Sequence, residues 1–110
     1  MTVPFACDMT AIPADLRAVH HRLIRRLMTE VVEQIQELPD GFAFRFPASE
    51  YDAVTEFVGR ERLCCPFLTF TLAVPPDRTS LILRIEGPEG VKEFIRAELR
   101  LTTEASVGAQ

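Results

Sequence analysis

The sequence holds a single lysine, Lys92, among 12 basic residues, and 16 acids leave it with a net charge of -4. An acidic chain whose cations are almost all arginine lacks the electrostatic footprint of a nucleic-acid binder. Arg22, Arg25 and Arg26 recur at helical spacing and read as a solvated helix face. No apolar run approaches the roughly 18 residues that a membrane helix needs. The opening stretch, Met1-Thr2-Val3-Pro4-Phe5-Ala6-Cys7, has neither a basic leader nor a long apolar segment and does not read as a signal peptide. The expectation is a cytoplasmic protein without membrane contact, in a compartment that keeps thiols reduced. There is no Gly-rich phosphate loop, no nucleophile-elbow motif and no Ser-His-Asp arrangement. Only three cysteines occur, an odd number that argues against a complete disulfide framework.

What is present is enough apolar material, 47% of 110 residues, for one domain with a buried core. That domain is expected over 1–101, followed by a small polar tail, 102–110, that frays. Residues 1–12 read as an extended lead-in. Pro13 suits a first helical turn, and Leu16, Val19, Leu23, Ile24 and Leu27 recur at helical spacing, predicting helix 1 over about 13–28. A hairpin is predicted over 31–47, centred on Pro39-Asp40-Gly41, with Gly41 supplying positive φ; a helix continuing to 37 is the alternative. Phe42, Phe44 and Phe46 alternate with Ala43 and Arg45, a half-buried strand. Ser49 caps a second helix carrying Tyr51, Val54, Phe57, Val58 and Glu61, which Pro66 stops. Leu68, Phe70, Leu72 and Val74 form a third strand and Leu81, Leu83 and Ile85 a fourth, joined by Pro75-Pro76-Asp77-Arg78. A last helix carries Val91, Phe94, Ile95, Ala97 and Leu99.

Segments 54–61 and 91–98 resemble each other, and each follows a hairpin whose second strand reads Phe44-Arg45-Phe46 or Leu83-Arg84-Ile85. The expected fold is α+β: a four-stranded antiparallel sheet in α-ββα-ββα order, with the helices packed on one face.

The chemistry is concentrated in Cys64-Cys65-Pro66-Phe67, where helix 2 gives way to strand 3. Adjacent cysteines resist bonding to each other because the small ring strains the peptide bond. Two thiols are therefore available to meet a third group. Cys7 is one candidate. Glu61 is another, because three- and four-residue spacings put it on the helix face of Cys64 and Cys65. His20 lies in helix 1, close in sequence to Cys7, and offers an imidazole. Sulfur-rich sets of this kind select soft or borderline ions over hard cations. No Cys-x-x-Cys pair or His-x-x-x-His set marks a structural zinc module. The competing reading is structural: free cysteine often acts as a small buried hydrophobe, and a helix C-terminus disfavours a thiolate. His20 on an apolar stripe, and Asp8 beside Cys7, likewise have plain structural readings as a core histidine and a turn residue.

Ala6-Cys7, Leu38-Pro39-Asp40-Gly41-Phe42-Ala43-Phe44-Arg45-Phe46, Glu61-Arg62-Leu63-Cys64-Cys65-Pro66-Phe67 and Gly87-Pro88-Glu89-Gly90-Val91-Lys92-Glu93-Phe94 together resemble a group of small uncharacterised bacterial proteins carrying Glu-Arg-x-Cys-Cys-Pro-Phe. A looser similarity is to the organomercurial lyases, which use two cysteines and an aspartate, one cysteine lying in a Cys-Cys pair. That resemblance implies Cys64 or Cys65 for the paired cysteine, Cys7 for the other, and Asp8 or Glu61 for the acid. It is confined to the pair and the aromatic residues after it. The sequence thus leads to three expectations. The first is a thiophilic ion (Hg, Zn, Cu or As) held by Cys7, Cys64 and Cys65 with Glu61 or His20, serving metal resistance or homeostasis. The second is an interaction protein that forms a homodimer through its sheet, with the cysteines only core. The third is a thiol enzyme.

Overall fold

The computed structural model describes residues 5–101. The expected tail at 102–110 and the first four residues of the lead-in lie outside this range. Three helices and one four-stranded antiparallel sheet make an α+β fold: α1 (Ala14–Arg26), β1 (Gln34–Leu38), β2 (Gly41–Pro47), α2 (Tyr51–Cys64), β3 (Thr69–Ala73), β4 (Ser80–Glu86) and α3 (Val91–Glu98).

The sheet order is β1-β2-β4-β3. Each strand alternates, as a period of two requires. Phe42, Phe44 and Phe46 of β2 and Leu81, Leu83 and Ile85 of β4 are buried. Arg45 and Arg84 are turned to solvent on the opposite face. The buried row packs on Ile24 of α1, Val54 and Phe57 of α2, and Val91 and Ile95 of α3 in one cluster, so the helices share one face. Phe44 pairs with Leu83 at the middle of the β2–β4 ladder. These are the two residues that the sequence repeat would superpose. In each ββα unit the second strand lies at the centre of the sheet and the first at an edge.

Several boundaries differ from expectation for local reasons. After Arg26 the helix widens into a π-helical turn, Leu27–Val31, closed by Val32 N–H donating to the Leu27 carbonyl at 2.8 Å. Val32 then adopts ψ 133°. The helix therefore neither stops at 28 nor continues to 37, and the first strand begins at Gln34. At the second helix, Ser49 makes no side-chain cap; a 3-10 turn, Ala48–Glu50, leads in instead. Gly41 is required for closeness, not for a left-handed turn. A Cβ there would collide with the backbone of Ile85 and Glu86, and Gly90 is the glycine with positive φ among the described residues. The lead-in is also less extended than expected. Met9–Ala11 form a 3-10 turn capped by the Asp8 carboxylate, which accepts from Thr10 N–H at 3.1 Å.

Candidate metal centre

Four segments converge on one buried pocket beside the main core. The inner stripe of α2 buries Val54, Phe57, Glu61 and Cys64, the three- and four-residue recurrence of a helix face. Its last turn is closed by Cys65 N–H donating to the Glu61 carbonyl at 2.9 Å. Pro66 brings no N–H to continue the ladder, and the chain turns into β3 with Leu68 N–H donating to the Cys65 carbonyl at 3.1 Å. Both thiols are thereby fixed at a chain reversal. Their sulfurs lie 3.7 Å apart.

The lead-in is held against this junction. Asp8 N–H donates to the Cys64 carbonyl at 2.8 Å, while Arg17 Nε–H donates to the Met9 and Ile12 carbonyls at 2.9 and 3.0 Å. Ile12 is fully buried against the two cysteines. Cys7 therefore reaches the pair, with its Sγ 3.4 Å from Met9 Sδ. Phe67 brings α3 to the same place: its ring lies 5.0 Å from those of Phe5 and Phe94. One turn beyond Phe94, Glu98 completes the group. A carboxylate oxygen of Glu98 and the sulfurs of Cys7, Cys64 and Cys65 all lie within 4.8 Å of one another.

His20 comes from α1 and stacks on Phe57 at 6.0 Å. Its Nε2 is 2.8 Å from Glu61 Oε1. His20, Glu61 and Cys64 form a second set of donor atoms within 4.8 Å, so Cys64 belongs to both. Glu61 Oε2 in turn lies 3.5 Å from Cys65 Sγ. His20, Glu61, Cys64 and Cys65 are all 0% exposed. Among the described residues, no buried side-chain nitrogen or oxygen lacks a partner.

Packing titratable groups this tightly divides their protons unequally. The hydrogen bond from the Cys65 thiol, opposed by burial and aided by His20 and Cys7, draws Cys64 down to about 5. The same bond, together with burial, pushes Cys65 upward. Burial and the bond to Cys64 push Cys7 upward too. Burial opposes charge on His20, but its bonds to Cys64 and Glu61 outweigh that and lift it to about 9. Burial works against a charged Glu61 as well, yet the bond from His20 holds it below the usual carboxylate range. Burial and the neighbouring Glu61 push Glu98 up to about 8. Cys64 is thus drawn toward the thiolate and Glu61 toward the carboxylate, while Cys7, Cys65 and Glu98 are pushed toward their protonated forms. Arg60 Nε sits 3.4 Å from His20 Nδ1; an N–H can donate there only while Nδ1 carries no proton, so charging the imidazole costs this contact.

All five residues singled out from the sequence, Cys7, Cys64, Cys65, Glu61 and His20, meet here. Asp8 does not: it is exposed and spends its carboxylate on the Thr10 turn. His21, next to His20, is exposed as well. Sequence reasoning missed Glu98 and Met9. Glu98 carried a signal, because it continues the apolar stripe Val91, Phe94, Ile95 at the next helical position. Met9 carried none. No protein-family profile matches the chain, and no curated protein or solved structure does.

Proposed function

We propose that the protein binds a thiophilic metal ion through Cys7, Cys64 and Cys65, with Glu98 as an oxygen donor and His20–Glu61 setting the proton on Cys64. The observation that carries this reading is the convergence of three sulfurs and one carboxylate within 4.8 Å from three separate parts of the chain. Thiolate sets of this kind favour Cu(I), Zn(II), mercuric ion or arsenite over magnesium and calcium. Metal–sulfur bonds of about 2.3 Å ask for sulfurs about 4 Å apart, so the pocket needs only a small contraction. Metal resistance or homeostasis is the role that such binding would serve.

The test is a titration with mercuric ion, Zn(II), Cu(I) and arsenite, read by thiolate-to-metal charge-transfer absorbance. One ion per chain is expected, with binding lost in Cys64→Ser and weakened in Cys7→Ser and Cys65→Ser. Substituting His20, which orients a ligand without supplying one, is expected to cost about 10- to 100-fold in affinity. Absence of binding to any of the four, or binding indifferent to the cysteine substitutions, refutes the reading.

A thiol enzyme is the second reading, favoured by the low pKa of Cys64. It predicts rapid, selective alkylation of Cys64 at neutral pH. The homodimer has less support. The outward sheet face sets Gln34, Gln36, Arg45, Thr69, Thr71 and Arg84 around the apolar side chains of Ala43, Ala73 and Ile82, and Phe67 packs between Phe5 and Phe94.

A further inference from the structure

Glu98 belongs to two places at once. It faces the thiols, and it also lines a cleft of about 200 Å³ between α1 with its π turn and the end of α3. The other walls include His21, Arg25 and Arg100. Arg25 and Arg100 have no ion pair among the described residues, in a chain whose net charge is -4.

Arg100 is held there by the backbone. Leu101 N–H donates to the Arg96 carbonyl at 2.8 Å and Arg100 N–H to the Ala97 carbonyl at 3.3 Å, the paired closure that ends many helices. The residue at its left-handed position is usually glycine. Here it is Arg100, at φ 57°, a conformation that strains any residue with a side chain. The chain thus places an arginine in the lining of the cleft at a position where glycine would fold more easily.

We infer that this cleft docks a small thiol bearing carboxylates, which delivers the metal ion as its thiolate complex to Cys64. The inference rests on the metal-binding reading above. Guanidinium groups grip carboxylates in two-point contacts. The volume is below the roughly 300 Å³ of a drug-sized pocket and suits one amino-acid-sized arm. In the transfer, Cys64 Sγ forms a bond to the metal as the donor's metal–sulfur bond breaks. That first departing sulfur keeps the electron pair and leaves as a thiolate. When Cys7 or Cys65 becomes the next ligand it releases its proton, which the second departing sulfur takes with its own electron pair to leave as a thiol.

Two measurements test this. The first is binding of S-methylglutathione, a metal-free mimic, to the metal-free protein. The second is the rate of mercuric transfer from its bis-glutathione complex and from its neutral bis-2-mercaptoethanol complex. Saturable mimic binding is expected, weakened on the order of tenfold in Arg25→Gln and in Arg100→Gly, at the low end of electrostatic steering. Transfer from the glutathione complex slows by the same factor, while transfer from the neutral complex is unchanged. Arg100→Gly is expected to fold at least as stably as the parent, so its loss is not a folding defect. No saturable mimic binding, or equal slowing with both donors, overturns the inference. If neither complex gives up its metal to the parent protein, the metal-binding reading fails, and the mimic still decides the cleft.

Discussion

The protein has two buried clusters that touch and are built on opposite rules. The larger one, between sheet and helices, is hydrocarbon: Phe42, Phe44, Phe46, Leu81, Leu83 and Ile85 under Ile24, Val54, Phe57 and Ile95. The smaller one joins Ile12 to Cys64 and Cys65 and adds His20, Glu61 and Glu98. Burying apolar area stabilises without direction, at about 25 cal/mol per Å². A charge taken out of water has to recover its hydration from partners of correct geometry. The first cluster therefore explains why the chain folds. The second is a cost that the fold carries, and a cost so specifically arranged points to chemistry.

The largest effect that separates them is expected from Phe44→Ala. Phe44 is fully buried at the centre of the sheet, and such truncations cost about 3–5 kcal/mol. Denaturant unfolding measures this, and the folded fraction should still titrate metal normally. Next comes Glu61→Leu, which leaves His20 buried beside hydrocarbon. Breaking a buried pair costs about 3–5 kcal/mol; the lower end is expected, because an imidazole can shed its charge. Adding His20→Phe should recover stability to within about 1 kcal/mol of the parent, since apolar replacement of a buried pair is often neutral or better. The double variant should nevertheless bind metal more weakly. If the double variant is as unstable as the single one, the pair is structural after all, and the contrast between the clusters collapses.

Gly41→Ala tests the hydrocarbon side more gently. The added methyl meets the Ile85 carbonyl across the ladder, and overpacking of this kind costs about 1–3 kcal/mol. A loss near zero would mean that the β2–β4 pair separates freely at its end.

How much of each cluster the sequence disclosed follows from the same difference. Alternation along Phe42-Ala43-Phe44-Arg45-Phe46 and the stripe Val91, Phe94, Ile95 made the sheet, its helices and their common face readable, because burial is written into periodicity. The thiol pocket was readable only in part. Cys64, Cys65 and Glu61 lie on one helix and the residue after it, so spacing alone joined them. That Cys7 reaches them depends on Asp8 N–H meeting the Cys64 carbonyl, a backbone contact with no side-chain signature. Glu98 and His20 do have one: each is a polar residue on an otherwise apolar helical stripe. On Glu98 that signal went unread, since an acid near a helix end is ordinarily a solvated one. The π turn after Arg26 left no trace in the pattern, because its residues still recur as a helix would.

The smallest effects concern protons. Cys64, with a folded pKa of about 5 against the ordinary 9.0, contributes stability that is present above 9.0 and lost as pH falls through about 5. His20, at about 9 against the ordinary 6.5, contributes stability that is full below 6.5 and lost as pH rises through about 9. Between those ordinary values the two slopes oppose each other, and Glu98, raised from 4.5 to about 8, adds a further contribution that is lost as pH rises, so stability should fall gently across neutral pH up to about 8 and not rise. The ultraviolet absorbance of the thiolate, taken as parent minus Cys64→Ser, isolates one side. It should persist through neutral pH and fade only near pH 5, and in His20→Phe its midpoint should move upward as the imidazole donor is lost. A midpoint in the ordinary thiol range in the parent would mean that Cys64 is an inert filler like the phenylalanines beside it. The two clusters would then differ in composition and not in purpose.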